Sequence, residues 1–139
     1  MNYQCNICKN EPNSHSFELV DYNDQTYFFY TCPAKAIKYY DCSGIIQHYD
    51  GFLNQMDKNT KWVWIFDANN FELKHLLEVN VAIELAKLIT NKYSENLEKI
   101  CIINPNWYIY SMTSIVWPFL SREVRNLIIY DNEKYNINI

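Results

Sequence analysis

The sequence predicts an α/β domain, a mostly parallel sheet covered by helices, with a cysteine-bearing β-hairpin at its N-terminus. Three observations carry that prediction. K-W-V-W-I-F-D (61–67) and K-I-C-I-I-N (99–104) are apolar on both alternating faces, as parallel strands buried on two sides are. Between them, about twenty residues show apolar positions three and four apart, the period of a helix. Strand, helix, strand, helix, strand is then the rhythm of a right-handed parallel sheet.

Each element has a local reason. Residues 1 to 34 carry Cys5, Cys8 and His15, then F-E-L-V-D-Y and T-Y-F-F-Y-T about an N-D-Q turn, which predicts the hairpin. Pro33 suits a first helical turn, so A-K-A-I-K-Y-Y reads as a short helix that Gly44 stops. A second helix follows in G-I-I-Q-H-Y-D-G-F-L-N-Q-M, where Ile45, Tyr49, Phe52 and Met56 make one stripe that Gly51 weakens. In the tryptophan strand, Trp62, Trp64 and Phe66 take one face and Val63 and Ile65 the other. The turn D-A-N-N-F needs a left-handed residue, Asn69 or Asn70.

Residues 73 to 91 read as one helix with Leu77, Val81, Leu85 and Leu88 along one side. After K-I-C-I-I-N comes an aromatic helix opened by Pro105, then S-R-E-V-R-N with Ser121 as cap and Glu123 in the first turn. The strand L-I-I-Y and a polar tail close the chain. We expect one domain over 1–139, with the hairpin in 1–34 and the α/β core in 35–139.

Composition excludes several function classes. With 139 residues, 49% hydrophobic and 20% charged, the chain falls in the globular range and holds one core of ordinary size. A formal charge of -4 offers no broad positive field for a nucleic-acid backbone. No apolar run reaches the roughly 18 residues that cross a bilayer, and M-N-Y-Q-C-N lacks the features of a secretory leader. These point to the cytoplasm, where five cysteines are reduced thiols or metal ligands rather than a disulfide framework. Two glycines amid abundant Asn, Ile, Tyr and Lys suggest an AT-rich coding sequence, as in a compact or viral genome.

For chemistry, glycines at 44 and 51 alone cannot form a phosphate-binding loop, and no G-x-S-x-G is present. A triad of Asp67 with His15, His48 or His75 is outweighed by ordinary histidines, and Asp67 is better read as capping D-A-N-N. C-N-I-C is half of a zinc site, two thiolates on one knuckle that need two more ligands. His15 and Cys32 are the first candidates, with Cys42 or His48 behind them; free, incidental thiols are the competing reading. Cys101 reads as a small core residue. The aromatic segment puts Tyr108, Met112, Ile115, Val116 and Phe119 on overlapping faces, with Trp107 and Trp117 widening the stripe. It would face Trp62, Trp64 and Phe66 across either a packed core or a cavity.

The order W-V-W-I-F-D-A-N-N-F, L-A-K-L-I-T-N-K-Y-S-E-N-L-E-K-I-C-I-I-N-P-N-W-Y and V-W-P-F-L-S-R-E-V-R-N-L-I resembles the core of the CRAL-TRIO family over about residues 61 to 130. That family holds lipid-binding and phosphatidylinositol-transfer domains and related modules that bind small GTPases and their regulators. The resemblance implies that Tyr108 to Phe119 form a movable gate over an apolar pocket. Glu95 matches an acidic position near the headgroup in phosphoinositide-binding members, whereas their basic partner falls at about Leu127. The usual lysine before P-F-L is Trp117, and the usual glycine of D-x-x-G-F is Asn70. Longer members continue past L-I-I-Y, and their N-terminal helical bundle is replaced here by the cysteine-bearing hairpin.

The expectation is non-catalytic binding of a lipid or other hydrophobic molecule by Trp62, Trp64, Phe66, Glu95, Trp107, Tyr108, Met112, Ile115, Val116 and Phe119. The alternative is a protein-interaction module or assembly subunit with a closed pocket. Expected partners are a hydrophobic ligand or a protein, with transient contact at a membrane surface and no nucleic acid.

Overall fold

The computed structural model describes residues 1–132. A short helix α1 (Asn6–Asn10) precedes the hairpin of β1 (Glu18–Asn23) and β2 (Thr26–Thr31), so Cys5 and Cys8 lie ahead of the hairpin rather than on it. Then come α2 (Cys42–Leu53), β3 (Lys61–Asp67), α3 (Leu73–Leu76), α4 (Val79–Leu88), β4 (Leu97–Ile103), α5 (Trp107–Val116), α6 (Arg122–Arg125) and β5 (Ile128–Asp131). The polar tail expected after L-I-I-Y falls, from residue 133 onward, outside the described residues.

The five strands lie in chain order, β1-β2-β3-β4-β5, with β1 and β2 antiparallel and every other neighbour parallel. A sheet laid down in chain order by right-handed crossovers places successive helices on one face. The packing agrees: α2 rests on α4 and α4 on α5. On the helix-covered face the register aligns Phe29, Trp64, Ile100 and Ile128 in one row and Thr31, Phe66 and Ile102 in the next. On the opposite face Val63 is buried, Ile65 and Cys101 are half-buried, and Ile129 at the β5 edge is 49% exposed.

The turns follow the expected chemistry. Asp24 and Gln25 both have positive φ (51° and 61°), the pair a two-residue hairpin turn of type I′ requires. Asn70, at φ 59°, takes the left-handed place in D-A-N-N. Ser121 accepts from the Val124 amide and caps α6.

Three expectations are corrected. The A-K-A-I-K-Y-Y helix is only a 3₁₀ turn, Pro33–Lys35. Gly44 does not stop a helix; it lies in the first turn of α2, whose N-cap Asp41 accepts from its amide. The helix over 73–91 is broken into α3, α4 and a wider π turn, Ile89–Tyr93. The break leaves Leu77 69% exposed, off the stripe assigned to it.

Candidate functional site

Between the helix-covered face of the sheet and α2, α4 and α5 lies a cavity of about 150 Å³. One water needs roughly 10–15 Å³ by the same measure, so this partly open pocket has room for far more than a single water. Its floor is Trp64, Phe66, Ile100, Ile102 and Ile128 from the sheet. Its walls are Ile45 and Tyr49 of α2, Val81, Ala82, Leu85 and Ala86 of α4, and Ile109, Met112, Thr113 and Val116 of α5.

The helix α5 is held over this space by its first residues. The Asn106 side-chain oxygen accepts from the Ile109 amide at 3.0 Å and caps the helix. The same side chain donates to the carbonyls of Phe71 (2.9 Å) and Ala68 (3.2 Å), which ties the start of α5 to the turn that follows β3.

Of the residues expected to hold a ligand, Trp64, Phe66, Met112 and Val116 line the cavity. Trp62 is buried elsewhere and donates its indole N–H to the Tyr93 carbonyl at 3.0 Å. Glu95 is exposed, as are Trp107 (71%), Ile115 and Phe119, while Tyr108 is half-buried beside Trp107. The aromatic segment is thus two-faced, with Ile109, Met112, Thr113 and Val116 inward and Trp107, Tyr110 and Ile115 outward. Lining residues that pattern reasoning missed include Tyr49, His75, Ile109 and Thr113. For Ile109 and Thr113 the three-and-four spacing from Met112 and Val116 was the available signal.

The lining is apolar except for Ser16, Thr31, Tyr39, Tyr49, His75, Glu78 and Thr113. Burial pushes the Tyr49 hydroxyl well above the ordinary tyrosine range, so it is a neutral donor. His75 accepts from the Glu72 amide through Nδ1 at 2.9 Å, which leaves the proton on Nε2. Burial, with Lys74 beside it, holds this imidazole below its usual range. Trp64 carries a buried indole N–H that donates to no partner among the described residues.

Asp67 does what the simpler reading expected. Its Oδ1 accepts from the Asn69 amide and from Asn104 Nδ2, both at 2.9 Å, and its Oδ2 accepts from the Tyr30 hydroxyl at 2.6 Å. It is the cap of the D-A-N-N turn.

A second cluster lies at the N-terminus. Cys5, Cys8, His15 and His48 are all buried, and one ligand atom from each falls within 4.8 Å of every other. His15 Nδ1 is 3.4 Å from Cys5 Sγ and 3.6 Å from Cys8 Sγ, and His48 Nδ1 is 3.7 Å from Cys8 Sγ. The far ring nitrogens are also held: His15 Nε2 by Asp41 Oδ2 at 2.9 Å and His48 Nε2 by the Phe17 carbonyl at 2.8 Å. Burial keeps His48 below its ordinary range and raises the Cys8 thiol. This group can hold a metal ion. The expected fourth member is corrected: Cys32, past the end of β2, points its thiol at the Asn69 carbonyl (3.7 Å), and His48 from α2 takes the place beside Cys8. Cys42 stands apart, near the Asn80 carbonyl.

Residues 16–138 match the CRAL/TRIO domain. This chain belongs to that family. Its members bind lipids and other hydrophobic ligands and are typically non-catalytic. The match takes in the β1–β2 hairpin and α2 as well as the stretch that carried the resemblance. Among solved structures, the crystal structure of Sfh5 is similar to this CRAL/TRIO domain, with a TM-score of 0.70 at 12% sequence identity. The overlap covers 94% of this chain and 52% of that one, so the chain spans about half the length of the solved structure. At that identity the likeness shows the fold, a mostly parallel sheet with an antiparallel β1–β2 hairpin. No curated protein matches. No helix among the described residues is long and apolar enough to cross a membrane.

Proposed function

We propose that this CRAL/TRIO domain holds the chain of a lipid, or another elongated hydrophobic molecule, in the cavity between the β3–β4 floor and α5. The supporting observation is the pocket itself: about 150 Å³ lined almost wholly by aliphatic and aromatic side chains. Each methylene taken from water contributes about 0.8 kcal/mol, so six of them contribute about 5 kcal/mol with no reacting group involved. The unpartnered Trp64 N–H gives the lining a spare donor. The ligand in this reading therefore carries a hydrogen-bond acceptor, an ester, carbonyl or hydroxyl oxygen, on an apolar body. Direct titration with a fluorescent fatty acid tests the proposal. Saturable, near-stoichiometric binding supports it, and its absence at micromolar protein counts against it.

A second reading rests on the outward side of α5. Trp107, at 71% exposed, lies with the exposed Tyr110 and Ile115 on α5, and Trp117 and Phe119 in the turn after it are exposed as well, residue types that protein interfaces favour. If this surface docks a protein partner, Trp107→Ala weakens the association and leaves ligand uptake unchanged. If it is a gate for the ligand, the same substitution alters uptake.

A further inference from the structure

We propose that Cys5, Cys8, His15 and His48 bind a single zinc ion in a closed, structural site that fastens the N-terminal segment to α2. The proposal is independent of any ligand in the cavity.

Three of the sulfur–nitrogen separations match those of a tetrahedral site, and all four ligand atoms lie within 4.8 Å of one another. Zinc lies about 2.3 Å from a thiolate sulfur and about 2.0–2.1 Å from an imidazole nitrogen, and tetrahedral angles then set sulfur and nitrogen about 3.6 Å apart. The separations Cys5–His15, Cys8–His15 and Cys8–His48 are 3.4, 3.6 and 3.7 Å. The knuckle is formed as such sites form it, with the Cys8 amide donating to Cys5 Sγ at 3.3 Å.

The tautomers agree with it. His48 Nε2 lies against a carbonyl oxygen, which can only accept, so the proton is on Nε2 and the lone pair of Nδ1 faces Cys8. His15 Nε2 is oriented in the same way by the Asp41 carboxylate. An imidazole whose far N–H is held by a carboxylate or carbonyl is the usual outer shell of a zinc histidine. Two thiolates with two imidazoles suit zinc and not the oxygen-seeking Mg²⁺ or Ca²⁺. Four protein ligands, all buried, leave no open position for a reacting water, which makes the site structural rather than catalytic.

Both glycines of the chain lie where this docking needs them. A Cβ on Gly44 would stand 2.0 Å from Asp41 Oδ2 and 2.9 Å from His15 Nε2, so only glycine lets that carboxylate reach its histidine. A Cβ on Gly51 would stand 2.0 Å from the Tyr3 ring, which lies flush on α2. Helix α2 gives up two side chains, each at a point where the segment carrying Cys5, Cys8 and His15 meets it.

The test uses the full chain expressed with added zinc and purified without chelator. Elemental analysis of wild type is expected to give one zinc per chain, and X-ray absorption is expected to show two sulfur and two nitrogen neighbours at the distances above. The double variant Cys5→Ser/Cys8→Ser loses the metal, while Cys32→Ser and Cys42→Ser keep it. Asp41→Asn, which leaves all four ligands, weakens zinc affinity by about 10–100-fold against a competing chromogenic chelator. Metal-free wild type that takes up no zinc from that chelator overturns the proposal. So does a zinc content unchanged in the double variant, or a wild-type spectrum without sulfur neighbours, a readout that does not depend on any variant folding.

Discussion

Filling the cavity separates a binding site from a packed core by the sign of the effect. Ala86 on α4 is 5% exposed and lines the pocket, so Ala86→Phe sends a ring into it. In a close-packed interior such overpacking costs about 1–3 kcal/mol. Into 150 Å³ of free space the ring enters without displacing neighbours, and burying it contributes up to about 1.5–3 kcal/mol before side-chain entropy is subtracted. The ligand-free variant should therefore be as stable as wild type, or about 1–2 kcal/mol more stable. A ring in place of about four ligand methylenes removes about 3 kcal/mol of binding, more than a hundredfold in affinity. Urea unfolding and fluorescent fatty-acid titration read the two effects on the same preparation. Destabilisation by more than 1 kcal/mol with unchanged ligand affinity would refute the reasoning.

Further outcomes follow from particular residues. Trp64→Phe removes the unpartnered N–H, so the preference for a ligand bearing an acceptor oxygen over a plain hydrocarbon of equal size should fall by about 1 kcal/mol; an unchanged preference removes Trp64 from the proposed contact. Gly44→Ala should destabilise by about 1–3 kcal/mol despite alanine's better helix propensity, because the new Cβ meets Asp41; stabilisation on thermal denaturation contradicts the Asp41–His15 arrangement. His75 is held below its ordinary range by burial and by Lys74, so the unfolded chain takes up that proton at a higher pH than the folded one. Its contribution is intact above about pH 6.5 and is lost as the pH falls below that, and His75→Gln should flatten this decline in urea titrations run from pH 7 to 5. Equal slopes for variant and wild type rule it out.

Much of the frame could be read in the residues, and the failures have physical causes. K-W-V-W-I-F-D coincides with β3, and both hairpin strands and the Ser121 cap fall where local chemistry put them, because alternation and capping are short-range signals. The stretch 73–91 misled because periodicity survives a break that restarts the helix; α3 stops after one turn at its C-cap Leu77, and α4 begins again behind Glu78. Gly44 and Gly51 looked like helix breakers and are instead close-approach positions, a property of what packs on them and not of the helix. The metal cluster was half legible. C-N-I-C, with His15 nearby, is a local pattern, whereas the preference for His48 over Cys32 depends on which way β2 and α2 face after folding. In the aromatic segment the exposed tryptophans outweighed, in composition, the smaller residues Ile109 and Thr113 that line the cavity.

The most direct test of the binding reading is organic extraction of gently purified protein followed by mass spectrometry, run beside uptake of a fluorescent lipid by wild type and Ala86→Phe. A co-purifying hydrophobic molecule near one per chain, with uptake lost in the variant, is the predicted result. A lipid-free extract from wild type together with no saturable uptake would contradict it.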